Sequence, residues 1–152
     1  MIVIEPGNPK APEIAALLRE SQAMMEANFP SNENHYLTPD ELSAPDIHFF
    51  AARKTGRIVG TGALAVRDGY GEIKSMFVAE SARGMGVADA LMRQLEDQAR
   101  ALQLPWLRLE TGNSLNSALR LYARHGFEMC GPFGAYTDSA TSLFLEKRLS
   151  DA

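Results

Sequence analysis

Apolar residues recur along this chain with two different periods, which predict alternating strands and helices. Spacings of three and four residues predict helices over residues 12–27 and from residue 87 onwards. A further helix, capped by Asn113 or Ser114, is expected to run to His125 and to be closed by Gly126. Short apolar runs between turn residues predict strands at 2–5, 47–53, 57–66, 72–78, 107–111, 127–130 and 142–146. This order of elements predicts a mixed α/β layer fold.

Composition narrows the class of protein. A length of 152 residues, with 45% apolar and 22% charged residues, predicts one globular domain over residues 1–152. No window approaches the roughly 18 apolar residues of a membrane span, and the N-terminus lacks the pattern of a signal peptide. Cys130 is the only cysteine, which suits a reducing compartment and predicts a cytoplasmic location. The net charge of −4 argues against nonspecific nucleic-acid binding.

The candidate chemistry begins at residues 83–88, Arg-Gly-Met-Gly-Val-Ala, which we call the glycine loop. It lies between a predicted strand and a predicted helix, where free backbone N–H groups and the helix dipole favour an anion. A P-loop is excluded because Gly-Lys-Ser/Thr is absent. A dinucleotide fingerprint is disfavoured because Asp89 stands where a third glycine or alanine is required. The remaining pattern is Arg-x-x-Gly-x-Gly/Ala, which Arg83, Gly86 and Ala88 satisfy.

This pattern resembles the acetyl-CoA pyrophosphate loop of the GNAT superfamily of N-acetyltransferases. A valine five residues before the arginine fits the family, and Val78 stands there. The later family pattern Ala-x-x-Leu-Tyr followed by Gly-Phe is met by Ala118, residues 121–122 and residues 126–127. One position departs: Leu115 stands where members often have Asn or Gln, and the nearby Asn116 is one residue out of register.

The resemblance implies an α/β fold whose mixed, mostly antiparallel central sheet is splayed at a cofactor cleft between strands 72–78 and 107–111. Helices are expected on both faces of the sheet. Acetyl-CoA would lie in the cleft as co-substrate, and no metal is expected. Its predicted contacts are Met76, Phe77, Val78, Arg83, Gly84, Met85, Gly86, Val87, Ala88, Asn116 and Tyr122.

The implied activity is direct transfer of acetyl to a primary amine, which must first lose a proton. Glu72 is the first candidate for the base and Glu110 is the second. Tyr122 matches the family tyrosine and is expected to protonate or hydrogen-bond the leaving thiolate. Candidates for acceptor binding are His35, Tyr36 and Tyr136, which lie in two loops.

The class of acceptor stays open at this point. A small amine or amino-acid-like compound is the first hypothesis, and a protein N-terminus or lysine is the second. The third is a non-catalytic domain that binds acetyl-CoA without turnover. A homodimer is a further expectation, because exposed strands of this fold often pair.

Overall fold

The computed structural model describes residues 1–28, 37–113 and 115–149, which build a seven-stranded sheet flanked by helices. The strands lie in the order β1-β2-β3-β4-β5-β7-β6. The strands are β1 (Ile2–Pro6), β2 (Ile47–Lys54), β3 (Arg57–Val66), β4 (Gly71–Val78), β5 (Trp106–Gly112), β6 (Glu128–Cys130) and β7 (Ser142–Arg148). The helices are α1 (Pro12–Asn28), α2 (Pro39–Leu42), α3 (Val87–Ala101) and α4 (Asn116–Arg124), with a 3-10 turn at Glu80–Ala82.

Helices cover both faces of the sheet, as the resemblance implied. The side chains of successive strand residues point to opposite faces of the sheet, so neighbouring residues on β2 pack against different helices. Phe49 packs with α1 residues such as Leu17, whereas Phe50 packs with α3 residues such as Leu91. The buried residues of α4, Leu121 and Tyr122, join the α3 side.

The sheet opens between β4 and β5. These strands are parallel and pair at Gly71 with Leu107 and at Glu72 with Arg108, after which the described pairing stops. From there β5 continues along β7 as far as Gly112. The predicted splay between the two strands is therefore confirmed.

A β-bulge interrupts β4 inside this opening. Thr61 pairs with Phe77 and Ala63 pairs with Lys74, so Ser75 and Met76 together oppose the single residue Gly62. Ser75 has a φ of +54°, a left-handed conformation that glycine usually adopts at such a position.

The start of α4 differs from its prediction. The helix begins at Asn116, its N-cap is Leu115, and no side chain caps it. Asn113 instead donates its side-chain amide to the carbonyl of Ala140, 3.0 Å away, and Ser114 lies outside the described residues. Gly126 follows the helix with a φ of +87°, which is the left-handed closing position that was expected. Within the described ranges, no helix is long and apolar enough to cross a membrane.

Candidate active site

The opening between β4 and β5 forms a cleft of about 130 Å³. Its walls come from both strands, from the C-terminal half of α1 and from the start of α4. The lining residues are Ser21, Met24, Met25, Ile73, Lys74, Ser75, Met76, Glu110, Thr111, Gly112, Leu115, Ala118 and Tyr122. Tyr122, Glu110 and Met76, which are far apart in the chain, thus line one cleft.

Tyr122 is a buried phenol at the wall of this cleft. Its side chain is 6% exposed, and its ring packs edge-on against Phe127 with centroids 5.9 Å apart. Burial, with a contribution from the charge of Glu110, raises the pKa of Tyr122 to about 12. The phenol therefore stays protonated at neutral pH and can donate a hydrogen bond into the cleft.

Glu110 lies on β5, the strand that faces β4 across the cleft. The Ser142 hydroxyl donates to its Oε2 at 2.7 Å, which fixes one oxygen of the group. A carboxylate held in this way lies in the same cleft as the Tyr122 phenol and can accept a proton there.

Glu72, the first candidate base, lies in a buried ion network at the closed end of the opening. Its side chain is only 5% exposed, and the carboxylate is not part of the cleft lining. Arg67 Nε lies 3.3 Å from Oε1, and Lys74 Nζ lies 3.5 Å from Oε2. The Tyr136 hydroxyl donates to Oε2 at 2.6 Å.

The hydroxyl of Tyr136 belongs to the same ion network around Glu72. Its hydroxyl accepts a hydrogen bond from Lys74 Nζ at 2.7 Å while it donates to Glu72. Burial and the bond to Glu72 raise its pKa strongly. The ring packs against Phe133 and Phe144. His35 and Tyr36, the other acceptor-binding candidates, lie outside the described residues.

Sequence reasoning missed Arg67 and Lys74 as members of this network. The alternation of charges at Arg67, Glu72 and Lys74 around one turn was a usable signal for mutual pairing. Nothing in the sequence connected these residues to Tyr136, which reaches them from a loop 62 positions beyond Lys74.

The glycine loop is exposed at residues 83–86, where it bends through left-handed glycines, and its Val87 is buried at the start of α3. Gly84 has a φ of +78° and Gly86 a φ of +86°, and a Cβ at either would meet no described atom within 4 Å. Gly86 is the N-cap of α3 without a side-chain cap, and the bond from Ala90 N–H to its carbonyl opens the helix. The N–H groups of the first turn therefore point out of the helix end, which fits an anion.

The neighbours of the loop have defined places. Arg83 Nε lies 3.4 Å from the Val78 carbonyl, and its guanidinium lies over the Phe77 ring. Met85 is half exposed, and its sulfur lies 2.9 Å from Lys54 Nζ. The predicted cofactor contact Asn116 is exposed at the first turn of α4 and does not line the cleft.

Asp89, which argued against a dinucleotide, ties α3 to α4. Its Oδ1 lies 2.8 Å from His125 Nε2 and 3.2 Å from Arg124 Nη2. The hydrogen bond from His125, aided by Arg124, lowers the pKa of Asp89. The carboxylate is therefore held by α4.

A larger open hollow of about 490 Å³ lies between α3, the end of α4 and β7. Two of its basic lining residues form ion pairs: Lys147 Nζ lies 2.6 Å from Glu96, and Arg124 pairs with Asp89 of α3. We place the candidate site in the smaller cleft, because the buried phenol and the carboxylate converge there. Among the described residues, no group of three or more His, Cys, Asp or Glu side chains could hold a metal ion.

Known proteins match this chain in sequence and in structure. The family model described as Acetyltransferase (GNAT) family matches residues 14–127. The chain is 39% identical over 150 residues to a protein named IAA acetyltransferase from Azospirillum brasilense, covering 97% of this chain and 98% of the relative. A solved structure from Klebsiella pneumoniae, assigned as an acyl-CoA N-acyltransferase, is 31% identical with a TM-score of 0.83 and 99% of both chains covered. The PaiA N-acetyltransferase of Thermoplasma acidophilum, solved with coenzyme A, has the same fold with a TM-score of 0.78 at 14% identity, covering 98% of this chain and 99% of that one.

Proposed function

Because the chain belongs to the acetyltransferase (GNAT) family, we propose that it transfers the acetyl group of acetyl-CoA to the amino group of a small molecule. One observation carries this proposal: Tyr122 and Glu110 lie in the same cleft, at the point where the sheet opens. A phenol that stays protonated and a carboxylate that accepts protons are the two groups that amide formation from a thioester uses.

The glycine loop fits the diphosphate of the donor. Its glycines leave open space around the backbone, and the start of α3 is uncapped. Backbone N–H groups can therefore approach phosphate oxygens closely. Acetyl-CoA supplies the activated acetyl thioester, and the exposed edge of β4 at Met76 and Val78 would hold its pantetheine arm.

Glu110 is the better candidate for the base. It lies in the cleft with one oxygen fixed by Ser142, whereas Glu72 is enclosed by Arg67, Lys74 and Tyr136. In the proposed reaction the ammonium group of the acceptor first loses a proton to Glu110, directly or through a water. The amine nitrogen then forms the bond to the acetyl carbon as the carbon–sulfur bond breaks, and the nitrogen releases its second proton to solvent to leave the neutral amide.

Tyr122 would receive the departing thiolate. A thiol has a pKa of about 8.5, far below the value of about 12 for this buried phenol. Full proton transfer from Tyr122 is therefore unfavourable. We infer that Tyr122 stabilises the thiolate by a hydrogen bond and that the thiolate takes its proton later from solvent.

The cleft favours a small acceptor over a protein. Its volume of about 130 Å³ accommodates a few atoms beside the thioester, and Met24 and Met25 of α1 close one side. The relative from Azospirillum brasilense carries a small-molecule acceptor in its name, IAA, which supports the same class.

Release of free thiol from acetyl-CoA tests this proposal. We would screen amino acids, polyamines, aminoglycosides, IAA and peptides, and in parallel titrate the protein with CoA by calorimetry. Turnover with a small amine and none with peptides supports the proposal. Turnover with peptides alone contradicts the proposed acceptor class. If the protein binds CoA tightly but releases no thiol from acetyl-CoA with any of these acceptors, it is a binding domain.

A further inference from the structure

The β4 bulge has a buried side chain beneath it that the chemistry above does not use. Thr61 on β3 is fully buried, and its hydroxyl donates to the carbonyl of Ser75 at 2.8 Å. Ser75 is the residue with a φ of +54°. A threonine hydroxyl thus holds a backbone conformation that serine seldom adopts.

The bulge changes which side chains face which helix. In a regular strand, Ile73 and Phe77 would share a face because they are four residues apart. Here Ile73 packs on the α3 side and Phe77 on the α1 side, and Met76 joins Ile73. The glycine opposite the bulge leaves room for this, since a Cβ on Gly62 would lie 2.8 Å from the Met76 sulfur.

The hydroxyl of Thr61 also sets the direction of one peptide group. The Ser75 carbonyl and the Met76 N–H belong to the same planar, trans peptide unit, so they point in opposite directions. Because the carbonyl points at Thr61, the Met76 N–H points away from it. Ser75 and Met76 both line the cleft, so this peptide decides which backbone group the β4 wall offers.

We propose that Thr61 is a positioning residue for the donor substrate. Its hydroxyl fixes the Ser75–Met76 peptide so that the Met76 N–H is presented to an amide carbonyl of the pantetheine arm. This inference rests on the proposed function, because it assumes that coenzyme A occupies the opening. Thr61 itself touches no substrate and acts through the bulge.

The matched substitutions Thr61→Val and Thr61→Ser test the hydroxyl. Valine keeps the shape of threonine and removes the donor, whereas serine keeps the donor. Loss of one hydrogen bond is expected to raise the dissociation constant for CoA about fivefold in Thr61→Val. Thr61→Ser is expected to stay within about twofold of the wild type.

Two further variants separate positioning from general stability. Ile58→Val trims a side chain of the same strand, in the α1-facing cluster that also contains Phe77, the residue paired with Thr61. It should lower the melting temperature and leave CoA affinity unchanged. If Thr61→Val does not fold, Thr61→Ala and Thr61→Ser form a pair that differs by one oxygen, and serine should bind CoA about fivefold more tightly.

Equal CoA affinity in Thr61→Val and the wild type would overturn the inference. So would a Thr61→Ser variant that binds as weakly as its hydroxyl-free partner. Failure of the proposed function has its own signature in the wild-type protein, which would then either not bind CoA or bind it without releasing thiol in the presence of any acceptor.

Discussion

Tyr122 and Glu110 line one cleft, and the environment of that cleft decides what the phenol can do. Burial raises the pKa of the phenol, the charge of the carboxylate adds to the shift, and the proton therefore stays on Tyr122. The phenol is then a permanent hydrogen-bond donor rather than a general acid. In the proposed reaction, Glu110 is therefore the base and Tyr122 stabilises the negative charge of the thiolate.

Tyr122→Phe should lower kcat about tenfold to a hundredfold while the CoA dissociation constant stays within about twofold, because a hydrogen bond to a charged group is lost. The phenyl ring keeps the packing against Phe127. Steady-state rates of thiol release and calorimetry check both parts. Tyr70→Phe is a matched control, since Tyr70 is a buried tyrosine in a separate aromatic cluster. A rate equal to that of the wild type would remove Tyr122 from the mechanism.

The two candidate bases give opposite results when each is changed to glutamine. Glu110→Gln should reduce kcat/KM about a hundredfold, because a positioned base is lost. In this variant the rate should begin to rise only at higher pH, near the pKa of the acceptor amine, because the amine must then lose its proton without help from Glu110. Rates measured from pH 6 to 10 show the shift.

Glu72→Gln should instead affect stability. It leaves Arg67 and Lys74 beside a neutral amide, so the free energy of unfolding should fall by about 2 kcal/mol. The pH dependence of the rate should not change. A shifted profile in Glu72→Gln with a normal one in Glu110→Gln would return the role of base to Glu72.

At the scale of elements, periodicity predicted the strands and helices to within a few residues, because each buries one face. The bulge in β4 could not be predicted in the same way. Serine at position 75 gives no sign of a left-handed φ, and the hydroxyl that holds it comes from another strand. The predicted cap of α4, Asn113 or Ser114, was wrong because Leu115 occupies the N-cap position and makes no side-chain hydrogen bond there. The network around Glu72 was missed because Tyr136 arrives from a distant loop.

The role of the start of α3 as a phosphate site can be tested by substituting two glycines, Gly86 in the glycine loop and Gly56 in the turn between β2 and β3. Gly86→Ala places a Cβ at a φ of +86°, in the open space beside the uncapped helix end. We expect CoA to bind about tenfold more weakly or worse, because the Cβ keeps phosphate from the backbone. The backbone strain itself should cost about 1 kcal/mol of stability.

Gly56→Ala supplies the control for this variant. Gly56 has a φ of +78°, also with open space around it, in the turn between β2 and β3. It should lose similar stability and keep the CoA affinity of the wild type. Equal CoA affinities in the two variants would exclude the glycine loop as the phosphate site.

At the scale of the whole molecule, two carboxylates on α3 connect this helix to its neighbours, one to the end of α4 and one to strand β7. Asp89 pairs with His125 and Arg124 of the α4 end, and Glu96 pairs with Lys147 of β7. The hydrogen bond from His125 lowers the pKa of Asp89. For Glu96, burial acts to raise the pKa, but the bonds from Lys147 and Arg100 outweigh it, and the net shift is downward.

A carboxylate whose pKa is lower in the folded state stabilises the fold above its unfolded pKa, which is about 4 for both residue types. This stabilisation is lost as the pH falls through the lower folded values. We therefore expect the urea midpoint to stay level from pH 8 to 6 and to fall below about pH 4.5. Asp89→Asn combined with Glu96→Gln should make the acid side of the curve shallower. Asp97→Asn removes an exposed charge from the same helix, and should leave the curve unchanged. An acid limb of equal steepness in the double variant would mean that other carboxylates control the loss of stability.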